Sequence, residues 1–187
     1  EGVTVMDPET MYNDIANVGV KGGKIVAITK EKIAGKETID AEGLVVAPGF
    51  IDIQSHSREQ FLVGDGRVAS KISQGITTEI MGEGWTNAPA NAKTLDAVRT
   101  LDPAMAADSI ARQFAGPRGF DTWLGAMERH GVSPNIGSFV GSWTLRVYAK
   151  GMAEGAANAA ELDTMRVVVR RAMEDGAFGI ASALIYP

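Results

Sequence analysis

The apolar positions of this chain change their rhythm at Gly49. Before it, short β-branched runs alternate with turn residues. Val3-Thr4-Val5, Val18-Gly19-Val20, Ile25-Val26-Ala27-Ile28 and Leu44-Val45-Val46 are punctuated by Asp7-Pro8, Gly22-Gly23 and Glu42-Gly43. The pattern predicts a small β-module over residues 1–47, with a tight hairpin at Gly22-Gly23. After it the spacing alternates between strand and helix. Strands are predicted over 50–53, 76–81, 135–140 and 178–185, and helices near 68–74, 104–114, 120–130 and 159–175. The last helix has the clearest period, with Leu162, Met165, Val169 and Met173 forming one apolar face and Gly176 as its stop.

Strands that alternate with helices predict right-handed βαβ units and a parallel sheet. Four such strands are half of an eight-stranded barrel. The expected fold class is therefore α/β, a partial TIM-type (β/α) barrel over residues 48–187 preceded by the β-module. In such a barrel the loops at the carboxyl ends of the strands share one face, where chemistry gathers. The unusual polar residues fall in those loops: Gln54 and His56 after the first strand, Glu83 after the second, Arg146 after the third and Tyr186 after the fourth.

Each of these side chains has a chemical reading beside a plainer one. His56 suits a divalent metal as neutral imidazole, or is a loop histidine bonded to backbone. Glu83 lies between glycines that let the chain turn and present a carboxylate. It can bind a metal or act as a base, or be an exposed loop acid. Gln54 is a weak zinc ligand and better suited to hydrogen-bonding a ligand or substrate. Arg146 can grip a substrate carboxylate through two parallel hydrogen bonds, or form a surface ion pair. Asp52 reads as structural. Glu79, inside the second strand, requires a partner, expected to be Lys71 or an arginine. His130 reads as the cap of a helix end, Trp123 as packing, and Trp85 and Trp143 as walls of a pocket.

Composition narrows the class. With 45% hydrophobic and 22% charged residues the chain has ample material for a core. A net charge of −5 and no basic cluster argue against a nucleic-acid partner. No apolar run approaches the ~20 residues that span a bilayer, so no membrane partner is expected. There is no cysteine, which excludes disulfides and thiolate metal sites. Nucleotide-binding glycine loops and the serine-hydrolase elbow are missing too. The first residues, Glu1-Gly2, and the last, Tyr186-Pro187, read as cut ends. The expected compartment is the cytoplasm, with periplasmic or secreted placement left open.

The run Pro48-Gly49-Phe50-Ile51-Asp52-Ile53-Gln54-Ser55-His56 resembles the amidohydrolase signature Pro-Gly-Phe-Ile-Asp-x-His-x-His, whose histidines bind a catalytic metal. Three further segments resemble the D-aminoacylase (N-acyl-D-amino-acid deacylase) group. They are Gly75-Ile76-Thr77-Thr78 leading to Gly82-Glu83-Gly84 and Ala88-Pro89, Gly141-Ser142-Trp143-Thr144-Leu145-Arg146, and Gly176-Ala177-Phe178-Gly179-Ile180-Ala181-Ser182 ending in Tyr186-Pro187. The chain departs from the group's pattern at three places. Gln54 replaces the first histidine, Ser142 stands where histidine is common, and Glu83 or Gly84 occupies the place of a cysteine ligand.

The resemblance implies an amino-terminal fragment of a metal-dependent hydrolase of linear amides, with an N-acyl amino acid as its small-molecule substrate. It implies one or two divalent ions, Zn2+ foremost, with His56 and Glu83 as ligands and Gln54, Arg146 and Tyr186 at the substrate. The general acid–base is expected beyond this chain, so the fragment alone should be inactive. The alternatives are ring opening of a cyclic amide and a catalytically degenerate barrel kept for binding.

Overall fold

A computed structural model describes residues 1–101, 110–116 and 118–183, and the chain divides into two compact units, Glu1–Gly49 and a second from Phe50 onward.

The first unit is a four-stranded sheet of β1 (Val3–Asp7), β2 (Tyr12–Lys21), β3 (Lys24–Thr29) and β4 (Val45–Val46), in the order β3-β2-β1-β4. β1 and β2 run antiparallel with Val3 opposite Ala16, and β4 joins β1 in parallel with Val45 beside Thr4. β2 and β3 are joined through Gly22-Gly23 at φ 59° and 75°. Two successive positive φ values are those of a type I′ turn, whose twist matches that of the strands it connects. Val3, Val5 and Ala16 form the small core, while Ile15, Val20, Ile25 and Val26 remain exposed.

The second unit carries a three-stranded parallel sheet in the order β5-β6-β7, formed by β5 (Phe50–Ser55), β6 (Ile76–Met81) and β7 (Asn135–Ser138). A two-stranded parallel pair, β8 (Val140–Gly141) and β9 (Ile180–Ala181), follows. The helices are α1 (Gln60–Val63), α2 (Ala69–Ile72), α3 (Ala92–Leu101), α4 (Gly119–His130), α5 (Ser142–Lys150) and α6 (Ala159–Glu174), with a 3-10 turn over Arg112–Phe114. Phe61, Met81, Phe114, Phe120, Trp123, Met127 and Val140 are its buried centre, and Phe120 meets Trp123 edge-on at 5.4 Å. Parallel strands connected through helices suit this sequence, whose strands are apolar runs rather than strict alternations.

Several expected elements take another form. The helix near 68–74 is a single turn, α2, entered through a left-handed Val68 (φ 45°), and an unexpected turn, α1, precedes it across Gly64-Asp65-Gly66. The third strand breaks at Phe139, whose N–H still donates to Met81 O of β6 at 2.9 Å, while Val140 pairs with Ile180 of β9. Gly141 to Arg146, read as a loop, is the junction into α5 and its first turns.

Among the described residues of the fourth strand, Ile180–Ala181 forms the paired element β9, and residues 184–187, with Tyr186, lie outside the described set. Most of the helix expected over 104–114 lies outside it as well. In α6 the buried positions are Val168 and Ala172, so Leu162 and Met173 of the expected stripe face solvent. The inward face is rotated toward the i, i+3, i+7 series Met165, Val168, Ala172, which sequence period alone did not separate from its neighbour.

Candidate functional site

β5 and β6 end side by side, and the chain beyond each end carries the polar residues. The link after β6 is pinned before it can wander. Gly82 sits at φ 102°, and a Cβ there would lie 2.1 Å from Phe139 O. Only glycine lets the loop pass Phe139, just beyond β7, at that distance. Gly84 O then accepts from the Trp143 N–H at 2.8 Å, at the start of α5, and Thr86 N–H donates to Thr144 Oγ1 at 2.8 Å. Gly141 leaves no room for a side chain beside Gly84 O, 2.5 Å from where a Cβ would stand. Glu83 is thus held by a loop locked on both sides.

Glu83 meets the end of β5. Its Oε2 lies 3.1 Å from His56 Nε2, and the Gln54 side chain hydrogen-bonds the same carboxylate. The Gln54 amide first, and His56 second, hold the Glu83 carboxyl below the usual glutamate range. Both partners are solvent-facing, with 56% of the His56 side chain and 33% of Glu83 exposed. Three of the five residues singled out by sequence are brought together here. Arg146 is not among them. Arg146 lies on α5, where its Nη2 donates to Ala153 O at 3.1 Å and Gly155 O at 3.0 Å, and Tyr186 lies outside the described residues.

Beneath this exposed trio lies a buried polar cluster that the sequence reading missed. Glu79 is fully buried, and the hydroxyls of Ser55 and Ser57 both donate to its Oε2, the latter at 2.7 Å. The expected Lys71 partner goes elsewhere: Lys71 pairs with Asp52, the residue opposite Glu79 in the β5-β6 register. Asp52 is held below its usual range chiefly by that lysine, and Lys71 is raised chiefly by Asp52. The signal for the cluster was present as serines on both sides of His56, but without the strand register nothing tied them to Glu79.

Around the site, Trp85 and Trp143 meet edge-on at 6.2 Å, and the buried Arg58 guanidinium lies 4.5 Å above the Trp85 ring. Arg58, also unanticipated, donates to Trp85 O at 3.1 Å. His130 does end α4, and its Nε2 meets Gly64 O at 2.7 Å, tying that end to the turn after α1. Trp123 is buried packing. A cleft of about 530 Å³ bordered by Phe120, Tyr148, Val168 and Arg171 includes none of Gln54, His56, Glu83 and Arg146.

A histidine nitrogen and a carboxylate oxygen can share one divalent cation. With zinc–ligand distances of ~2.0–2.2 Å in tetrahedral array, two donors stand ~3.3–3.6 Å apart. The observed 3.1 Å falls a little below that range. Among the described residues no group of three or more His, Cys, Asp or Glu side chains is placed to hold a metal. Among the same residues no helix is long and apolar enough to cross a membrane.

No family model matches the chain. It is 35% identical over its whole length to an N-acyl-D-aspartate deacylase, and 33% identical to a D-aminoacylase, both of Alcaligenes xylosoxydans. It spans 36% and 37% of their lengths. A solved D-aminoacylase with a binuclear metal centre, activated by one metal and attenuated by the second, superposes on the full chain with a TM-score of 0.80 at 31% identity. Another D-aminoacylase, which defines a subset of the amidohydrolases, gives 0.78 at 30%. The N-acyl-D-glutamate deacylase of Bordetella bronchiseptica, in complex with zinc and a phosphonate mimic of the tetrahedral intermediate, gives 0.75 over 99% of this chain and 38% of its own. Sequence and structure agree: the homologues of this chain are N-acyl-D-amino-acid deacylases, and its structural neighbours are D-aminoacylases of the amidohydrolase kind.

Proposed function

We propose that the intact protein hydrolyses the linear amide of N-acyl-D-amino acids in a metal-dependent reaction, and that this chain supplies part of its site. The observation that carries the reading is the His56–Glu83 contact at 3.1 Å, at adjacent strand ends, in a chain matched along its full length by deacylases. In this reading residues 1–47 are part of a β-sandwich and residues 48–187 the first half of a (β/α) barrel.

His56 and Glu83 would hold the cation, with further ligands and the general acid–base supplied by chain beyond these residues. When bound, zinc supplies a Lewis acid for the amide carbonyl and lowers the pKa of water at the site. Gln54 keeps Glu83 ionised and oriented. Its neutral amide is a poor zinc ligand, so it serves the site through that hydrogen bond and through the substrate. Arg146 would grip a substrate carboxylate only on leaving the Ala153 and Gly155 carbonyls that its Nη2 meets, and Tyr186 is assigned to the same molecule by residue type alone. The 187-residue chain alone would be inactive.

The test is elemental analysis of the intact protein beside a His56→Ala, Glu83→Ala variant, with release of amino acid from N-acyl-D-aspartate, N-acyl-D-glutamate and neutral analogues. Near-stoichiometric zinc that falls in the variant, with D-selective release, is the expected result. A well-folded intact protein without metal would overturn it. That outcome would favour a degenerate barrel kept for binding, the reading that Gln54 in a histidine position supports.

A further inference from the structure

The oddest group in the second unit is the buried Glu79. A carboxylate inside a sheet is costly, and an apolar residue of its size would pack at least as well. Its partners explain what it does. Oε2 accepts from Ser55 Oγ and from Ser57 Oγ at 2.7 Å, the residues on either side of His56. Ser55 Oγ in turn accepts the Ser57 backbone N–H at 3.1 Å, closing a turn with His56 at its apex. Ser55, Ser57 and Glu79 are all buried, whereas the His56 ring stands in solvent. The other carboxylate oxygen, Oε1, has no hydrogen-bond partner among the described residues, so the group is committed to these two hydroxyls alone.

We infer that Glu79 is a positioning residue for His56, fixing the backbone at Ser55 and Ser57 so that the imidazole is held toward Glu83. β6 and its loop then grip the end of β5 twice. Glu79 holds the histidine's backbone from inside, and Glu83, four positions along the same chain segment, meets its ring from outside. A histidine on a strand end loses rotational and backbone freedom when both neighbours are tied to one buried acceptor, which pre-organises the ligand. The inference deepens the metal-hydrolase reading and rests on it where metal is the readout.

The experiment uses the intact protein and two Glu79 variants of near-equal volume. Glu79→Met removes the acceptor, and Glu79→Gln keeps a carbonyl for the two hydroxyls. Zinc affinity by chelator competition should fall about ten- to a hundredfold in Glu79→Met and change by less than about threefold in Glu79→Gln. The visible band of the cobalt-substituted protein should shift only in the former. If Glu79→Met does not fold, Ser57→Ala decides, with about a threefold or greater loss expected.

Wild-type affinity and cobalt spectrum in a folded Glu79→Met or in Ser57→Ala, or equal damage in Glu79→Gln, would overturn the inference. Imidazole ¹⁵N spectra of the metal-free protein separate the two questions. The clamp requires the His56 signal to shift or broaden in Glu79→Met and hold in Glu79→Gln. That result stands even if the wild type binds no zinc, which would sink only the hydrolase reading.

Discussion

At the scale of single residues, the site is a set of carboxylates sorted by their surroundings. Glu83 is ionised more readily than an ordinary glutamate because two donors, Gln54 then His56, bond its charged form. Gln54→Leu removes the larger contribution, so the Glu83 pKa should rise toward the usual range. Loss of zinc on acidification should then begin at a higher pH, as carboxyl NMR and metal release against pH would show. Asp52 and Lys71 shift in opposite directions through one contact. Asp52, lowered, stabilises the fold above the ordinary aspartate pKa and loses that contribution as pH falls through its own. Lys71, raised, contributes below the ordinary lysine pKa and loses it only at strongly alkaline pH. The pair is part-buried, so Lys71→Met should cost about 1 kcal/mol at pH 7. Urea midpoints of wild type and variant should converge as pH falls through the lowered Asp52 pKa and the carboxyl is protonated. The residue types around His56 were legible from sequence. Their pairing was not, because Lys71 stood equally open to Asp52 and Glu79 until the register put it on Asp52.

At the scale of elements, boundaries written in local chemistry were legible. α6 begins at Asn158, whose side chain accepts from the Glu161 N–H at 2.9 Å while Glu161 accepts from the Asn158 N–H at 2.8 Å. This capping box satisfies two donors that the helix cannot, and Asn158→Ala should lower stability by about 1 kcal/mol in a denaturant titration. Likewise α4 ends at Gly131, where the sequence marks a stop. Elements decided by distant contacts were not legible. α5 starts at Ser142 because Gly84 O accepts its Trp143 N–H across the site loop, a partner about sixty residues upstream. β7 and β8 divide because Phe139 still pairs with β6 while Val140 is claimed by β9. Gly82 is the hinge point of that arrangement. Gly82→Ala forces a Cβ into Phe139 O in a left-handed conformation. It should cost about 3 kcal/mol and displace Glu83, read as lower zinc affinity together with a lower melting temperature.

At the scale of the whole molecule, the exposed strand faces matter most. Phe50, Ile51 and Ile53 of β5 are each at least 60% exposed, and Phe178 before β9 and Ile180 within it are open as well. Apolar strands without cover associate, so the 187-residue chain by itself should bind a hydrophobic dye and self-associate. Phe50→Lys with Ile53→Lys should reduce both, as fluorescence and light scattering would record. The amino-acid sequence by itself determined which family signature the chain carries, the order of its strands with the helices α4 and α6, and the residues capable of chemistry. Those depend on local period, turn residues and side-chain type, all of which are written along the chain. Only the tertiary structure decided that Glu83 meets His56 and Gln54, that Glu79 holds the serines on either side of that histidine, and that Arg146 turns to the Ala153 and Gly155 carbonyls. These contacts depend on strand register and on backbone close approach, which bring together residues that local sequence leaves far apart.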